Sequence, residues 1–262
     1  MQETSKTIKI SSYNVNGIRA AERKGFSEWV KSEKPDIICL QEIKATEDQV
    51  PEEINDLGYH TCWLSAEKKG YSGVAILSKI EPQHIQKGMG LDWVDNEGRI
   101  LKFEYADFSV FSIYAPSGTT GSVRQDLKYE FLDAFYLFAE KEAAKGKPLV
   151  FCGDFNIAHT EIDIHDPVRN KKSSGFLPEE REWLTKFIAS GFGDVFRNLH
   201  PDLRDTYSWW TYRAGAKGNN KGWRIDYHLA TPELAKCATD AFITKELGLS
   251  DHAPVTVVYD FP

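Results

Sequence analysis

Short apolar runs, many of them β-branched, recur along the chain with turn-forming residues at their edges: TIKISSYNV, PDIICLQE, GVAILSK, FSVFSIYAP, PLVFCGDFN, WRIDYHLAT and APVTVVYDF. Each has the length of a strand rather than of a helix. Several are apolar at consecutive positions, so both of their faces must be covered. Between them, apolar positions recur at helical spacing. The longest such pattern runs from about Val123 to Lys145, with Leu127, Phe131, Ala134, Phe135 and Phe138 on one face. Ser122 and Gln125 read as its capping box, and Gly146 as its stop. A second helix follows Pro178, with Glu179 and Glu180 in its first turn and Trp183, Leu184, Phe187 and Ile188 as its apolar stripe. A third covers Gly25–Glu33 and ends before Pro35. The pattern predicts an α/β fold of sheets packed together with helices outside, and leaves the strand order open. No linker or low-complexity tract interrupts it, so residues 1–262 read as one domain.

The polar residues at the ends of these runs carry the candidate chemistry. Asn14 and Asn16 follow the first run, Glu42 the second, Tyr114 the FSVFSIY run, and Asp154 and Asn156 the PLVFC run. Asp226 lies inside WRIDYHL, and Asp251 and His252 precede the last run. Strand ends are rigid platforms, and the alternation in Asn14-x-Asn16 and Asp154-x-Asn156 puts both members of each pair on one face. Glu42 and Asp251 are hard oxygen donors that, with Asn16 and water, suit Mg²⁺. His252 and Asp226 can form a carboxylate-oriented imidazole. Asp154, Asn156, Asn14 and Tyr114 supply an acceptor and neutral donors for a phosphate and an attacking water. Singly, each has a plainer reading: Gly-Asp-x-Asn as an Asx turn, Glu42 as a solvated charge, Asp251-His252 as a turn cap, Tyr114 as packing. Their joint occurrence at successive strand ends favours a site.

Charge refines this picture more than composition does. The chain has 39 acidic and 32 basic residues, a net charge of −7, which argues mildly against a nucleic-acid binder. Yet YRAGAKGNNKGWR, residues 212–224, is basic without an acid, and Arg169, Lys171 and Lys172 cluster in RNKKSSG. An acidic body with local basic loops suits an enzyme that collects metal ions in one cleft and grips phosphate around it. Cys39 and Cys152 sit in apolar runs and read as core residues. The opening MQETSKTIKI lacks the apolar stretch of a secretory signal, and no run is long enough to span a membrane, so the expected compartment is the cytoplasm.

The blocks SSYNVNGIRA, PDIICLQEIK, GYSGVAILSK, IYAPSG, GDFNIAHTEIDI, SGFLPEEREW, GWRIDYHLAT and LSDHAPV, in this order from about Ile8 to Tyr259, resemble the exonuclease III family of apurinic/apyrimidinic (AP) endonucleases. The resemblance implies a four-layered α/β sandwich, two mixed β-sheets face to face flanked by helices. It implies Mg²⁺-dependent cleavage of a DNA phosphodiester, with Mn²⁺ as a substitute ion. By the family motif, Glu42 is the main metal ligand, with Asn16 and Asp251 nearby and Asp154 and Asn156 at its edge. Asp154 orients or deprotonates water, with Asn156 beside it. His252, oriented by Asp226, bonds a phosphate oxygen, and Tyr114 and Asn14 hold the phosphate or the site. Trp209, Trp223 and Ile225 match positions that wall a pocket for a flipped-out baseless sugar, while Trp210 reads as core. Asn170, Lys171 and Lys172 resemble the family's DNA-contacting loop.

Departures from the pattern are informative. Asn16 stands where some members carry aspartate, and Ser173 replaces an asparagine and leaves room for the sugar. Ser117 and Thr120 stand where others offer asparagine or a DNA-inserting arginine, which displaces strand-gripping onto Arg213 and Lys217. The implied partner is double-stranded DNA with abasic sites or blocked 3′ ends, cut by a monomer that needs no membrane and no obligate protein partner. Alternatives are an enzyme mainly processing 3′ ends, a phosphoesterase of the wider superfamily acting on inositol phosphates or sphingomyelin, and an inactive DNA-binding descendant. The NKKSSGFLPEEREW block and the Trp-rich loop favour DNA, and the intact acidic set favours activity.

Overall fold

The structure, a computed structural model, describes residues 6–261. Twelve strands are present among them: β1 Lys6–Asn14, β2 Ile37–Gln41, β3 His60–Leu64, β4 Val74–Ser78, β5 His84–Lys87, β6 Ile100–Glu104, β7 Ser109–Tyr114, β8 Leu149–Asp154, β9 Gly193–Asp194, β10 Asp226–Ala230, β11 Ala238–Ile243 and β12 Val255–Phe261. They form two six-stranded sheets, one in the order β11-β12-β1-β2-β4-β3 and the other β5-β6-β7-β8-β10-β9. Each sheet is mixed in the same way. β1 and β2 are the parallel pair of the first, β7 and β8 of the second, and the other pairings are antiparallel.

The consecutive apolar positions serve two cores at once. In β8, Val150 and Cys152 point between the sheets while Leu149 and Phe151 face outward to helices. In β2, Ile37 and Cys39 join the inter-sheet core, and Ile38 and Leu40 meet the helices α1 (Ile18–Glu22) and α2 (Phe26–Glu33). On the far side, α3 (Ser122–Ala143) and α4 (Pro178–Ala189) pack Phe131, Phe135, Leu184 and Phe187 against the outer face of the second sheet. The result is the expected four-layered sandwich. Both cysteines read as core are fully buried.

Helix boundaries follow local chemistry, with one correction. Lys34 closes α2 in the left-handed region (φ 53) just before Pro35, and Gly146 (φ 78) stops the chain beyond α3. The expected capping box of α3 does not form. Gly121 takes the N-cap position without a side-chain cap, and the Gln125 amide donates to Glu180 at 3.0 Å instead. The Gln125 side chain is turned to the buried Glu180 carboxylate, a charged acceptor, rather than back to the start of the helix.

Candidate active site

The two parallel pairs explain why scattered polar residues meet. β1 and β2 end at Asn14 and Gln41, which are direct partners; β7 and β8 end at Tyr114 and Asp154, also partners. Antiparallel β10 begins opposite that end, with Asp226 paired to Asp154, and β12 begins just after Asp251 and His252. Sheet one therefore contributes Asn14, Asn16, Glu42, Asp251 and His252. Sheet two contributes Tyr114, Asp154, Asn156 and Asp226. Glu42, Asp154 and His252 each bring one side-chain ligand atom within 4.8 Å of the other two.

Just past the strands the backbone turns sharply. Asn16, Glu42 and Asn156 all have positive φ (46, 50 and 55°), which is uncommon away from glycine and clusters at functional sites. Asp154 Oδ1 accepts the Asn156 N–H at 2.8 Å, and Asn14 Oδ1 accepts the Asn16 N–H at 3.0 Å. Both are Asx turns, so the strict two-residue alternation expected from the strands does not continue through Asn16 and Asn156. The turn reading and the site reading hold together, because each side chain uses its other end elsewhere. Asn14 Nδ2 donates to Glu42 Oε1 at 2.9 Å and to Asp154 Oδ2 at 3.0 Å, tying the two sheets. Gly153 lets β8 lie close against β7 within the second sheet: a Cβ there would lie 1.9 Å from the Ile113 carbonyl oxygen.

Electrostatics divide the site into two sides. On one, His252 Nδ1 meets Asp226 Oδ2 at 2.9 Å, and Ser208 Oγ donates to the same oxygen at 2.6 Å. Burial alone would discharge the imidazole, but the Asp226 carboxylate outweighs it and raises the pKa to about 10. His252 Nε2 lies 3.8 Å from Asp154 Oδ2. A protonated imidazole has no lone pair for a metal, so His252 acts as a donor. Asp154 is 1% exposed; burial, then the charge of Asp226, push its carboxyl up to about 7 despite the opposing imidazolium. Tyr114 is held well above its ordinary value by burial and the Glu42 carboxylate, and its ring lies under the Arg99 guanidinium, 4.8 Å from the ring centre.

The other side is suited to a cation. Burial opposes ionisation of Glu42, but Lys44 and the Asn14 amide hold its pKa below the ordinary range. Lys44 Nζ sits 2.7 Å from Glu42 Oε2 and 2.5 Å from Asn16 Oδ1, a positive charge held by two converging oxygens. A hard cation fits the same donors. Asp251 has both oxygens engaged, Oδ1 by Asn16 (2.9 Å) and Ser250 (3.1 Å), Oδ2 by Trp209 (3.1 Å), so it fixes Asn16 and Trp209. Asn156 turns its Nδ2 to the Ala115 carbonyl at 3.0 Å.

Glu42, Tyr114, Asp154, Asn156, Asp251 and His252 line one cavity of about 620 Å³. Its walls include Ser117, Ser173, Trp209, Trp223 and Ile225, and the two indoles meet edge to face with centres 5.9 Å apart. Asn14 and Asp226 stand behind it, fully buried. Thr120 belongs to an adjoining cavity with Lys68, Tyr71 and Arg124. Lys171, Lys172 and Arg213 are exposed away from the cavity, and Asn170 uses its amide to close its own turn on His165 and Asp166.

The basic stretch 212–224 is less cationic at the surface than its composition suggests. Lys217 turns its ammonium inward, 5.0 Å from the centre of the buried Trp210 ring, and burial lowers its pKa. Arg224 is fully enclosed between Asp163 and Asp194. Charge is legible in a sequence; direction is not. Conversely, no sequence pattern singles out Ser208 or the cationic cavity of Arg19, Arg23 and Lys44 that adjoins the Glu42 side of the site. Lys44, two residues beyond Glu42, had a positional signal; Ser208 had none.

Residues 11–252 match the model of the Endonuclease/Exonuclease/phosphatase family. The chain belongs to that family. It is 42% identical over 252 residues to an exodeoxyribonuclease of Bacillus subtilis, covering 96% of this chain and 99% of that one. An AP endonuclease from Archaeoglobus fulgidus superposes with a TM-score of 0.89 at 34% identity, covering 97% of this chain and 100% of the other. A 3′ phosphatase from Neisseria, solved with a product DNA hairpin, gives a TM-score of 0.90 at 29% identity over 97% of this chain and 100% of that one. Nucleases of this family depend on metal, and the cluster of Glu42, Asp154 and His252 forms a candidate acidic site for an ion, on its Glu42 side.

Proposed function

We propose that the protein is a Mg²⁺-dependent DNA repair phosphodiesterase that hydrolyses the backbone 5′ to abasic sites and trims blocked 3′ ends. One observation carries this reading: a raised-pKa carboxylate and a carboxylate-held imidazolium face an acidic cation site within a single cavity walled by two tryptophans. Asp154 Oδ2 receives the proton of an attacking water as the new O–P bond forms, and the bond from phosphorus to the 3′ oxygen breaks on the opposite side. The His252 Nε2 proton and the Tyr114 hydroxyl donate to the non-bridging phosphate oxygens, where negative charge grows. Asn14 keeps Asp154 and Glu42 in register. Glu42, with Asn16 adjoining, would hold Mg²⁺, which would supply positive charge to offset that growing on the phosphate and the leaving oxygen. Trp209, Trp223 and Ile225 form an apolar wall against which a sugar without a base can pack.

A dominant 3′-end activity is the second reading, favoured by a cavity mouth of small residues, Ser117, Gly118, Thr119 and Gly121, which present nothing bulky to prop open an internal site. The test is incision of a duplex carrying one tetrahydrofuran abasic analogue, with Mg²⁺ and with EDTA, beside a 3′-phosphate substrate. Incision only with Mg²⁺ supports the first reading; release of phosphate without incision supports the second. Binding without any cleavage sinks both.

A further inference from the structure

The fully enclosed ion pair of Lys128 and Glu180, like that of Arg224 and Asp163, has no task in the machinery above. Lys128 on α3 and Glu180 on α4 are both 0% exposed. Apolar replacements of such pairs are often neutral or stabilising, so stability alone does not account for it. Its contacts point to the cavity instead. Lys128 Nζ donates to Glu180 Oε1 and to the Asn156 carbonyl oxygen, the latter at 2.8 Å. Glu180 Oε2 accepts the Gly175 N–H at 2.6 Å and the Leu177 N–H at 3.0 Å. Asn156 closes the turn that aims Asp154, and Gly175, whose carbonyl accepts the Ala158 N–H, lies in the adjoining wall with Ser173 and Trp223. The fit is tight: a Cβ on Gly175 would come within 2.9 Å of the Trp223 ring and 3.0 Å of the Asn156 carbonyl oxygen.

We infer that Lys128 and Glu180 are a positioning pair that sets the spacing between the Asp154–Asn156 turn and the Ser173–Leu177 wall, and thereby the depth at which a sugar-phosphate sits against Asp154. The inference rests on the proposed phosphodiesterase function. It touches no reacting atom; it acts through the Asn156 carbonyl. In-line attack needs reacting atoms about 3–3.5 Å apart, and an error of about 1 Å costs on the order of 100-fold in rate. Grip on the duplex comes from exposed basic residues elsewhere, so the pair's loss lowers turnover and leaves affinity alone.

The test uses full-length protein carrying K128M and E180Q together, which removes both charges and leaves neither unpaired. Melting temperature, Kd for the abasic-analogue duplex in EDTA, and single-turnover incision at saturating enzyme with Mg²⁺ are measured against wild type. The expected result is a folded protein with Kd within threefold of wild type and a single-turnover rate at least tenfold lower. A purely structural role would shift the melting temperature and leave the rate per folded molecule unchanged. If the double variant does not fold, K128R gives the same reading, since its larger guanidinium cannot enter the enclosed site without moving the Asn156 carbonyl. A rate within threefold of wild type in whichever variant folds overturns the inference. A wild type that cuts no DNA overturns the proposed function itself, a separate outcome visible before any variant is assayed.

Discussion

Replacing Asp154 with Asn should make the protein both inactive and more stable, with the stability gain confined to neutral and alkaline pH. The carboxyl is 1% exposed and its pKa is pushed from the ordinary 3.8 up to about 7, because burial and then Asp226 oppose its charge. The folded state therefore holds its proton more tightly than the unfolded chain does. Between those two values stability falls as pH rises, and well above 7 the ionised group costs about 4 kcal/mol. Asparagine has nearly the same shape, and its oxygen can still accept the Asn156 N–H. Its amide then faces Asn14 Nδ2, which loses an acceptor now at 3.0 Å. That lost hydrogen bond offsets about 1–2 kcal/mol. The net gain is about 2 kcal/mol at pH 8.5, or roughly 4–8 °C in melting temperature for a chain of this size. At pH 5 wild-type Asp154 is already protonated, and the variant should melt no higher. Scanning calorimetry in EDTA at both pH values reads this directly. A variant no more stable than wild type at pH 8.5, or one with the same advantage at pH 5, refutes the electrostatic account of Asp154.

Other outcomes follow from the same geometry. Incision should rise with pH through about 7, as Asp154 becomes able to accept a proton, and fall as His252 loses its own toward 10; a pH profile of kcat/KM checks both limbs. The D226N variant should bring the His252 pKa down from its raised value, visible by NMR titration, and cut turnover by about 100-fold or more. G153A should be severely destabilising, because the new Cβ would lie 1.9 Å from a backbone oxygen of β7 that cannot move alone; an unaltered melting temperature would contradict the strand spacing. Replacing Lys171 and Lys172 with Ala should reduce the slope of log K against log salt by up to about 1.8, measured by fluorescence anisotropy on duplex DNA.

The strands read from the sequence are those whose both faces are buried, because only there does an apolar run declare itself. β3, β5, β9 and β11 lie at sheet edges, where half-exposed, polar-rich sequences such as HTCWL and HIQK look like loop. β6 is interior yet also escaped, since Lys102 sits at its centre; its ammonium is buried and neutralised by Glu104 and Glu142. Within the site, the acidic and amide residues were legible because strand ends concentrate them. Ser208 was not, because a serine in a loop says nothing about the carboxylate it will meet. Lys217 and Arg224 misled for the opposite reason: their partners, Trp210 and the Asp163–Asp194 pair, lie at distances in the chain that only the fold brings together.

Because the Asn14–Asp154 and His252–Asp226 bonds both cross from one sheet to the other, neither half of the molecule holds a working set of groups by itself. Under the proposed function, a chain emerging from the ribosome, or one partly melted, has Asp154 parted from Asn14, Glu42 and His252. Such a chain is harmless to the genome it serves: the capacity to break DNA switches on only with the closing of the sandwich, and is forfeited the moment the sheets separate.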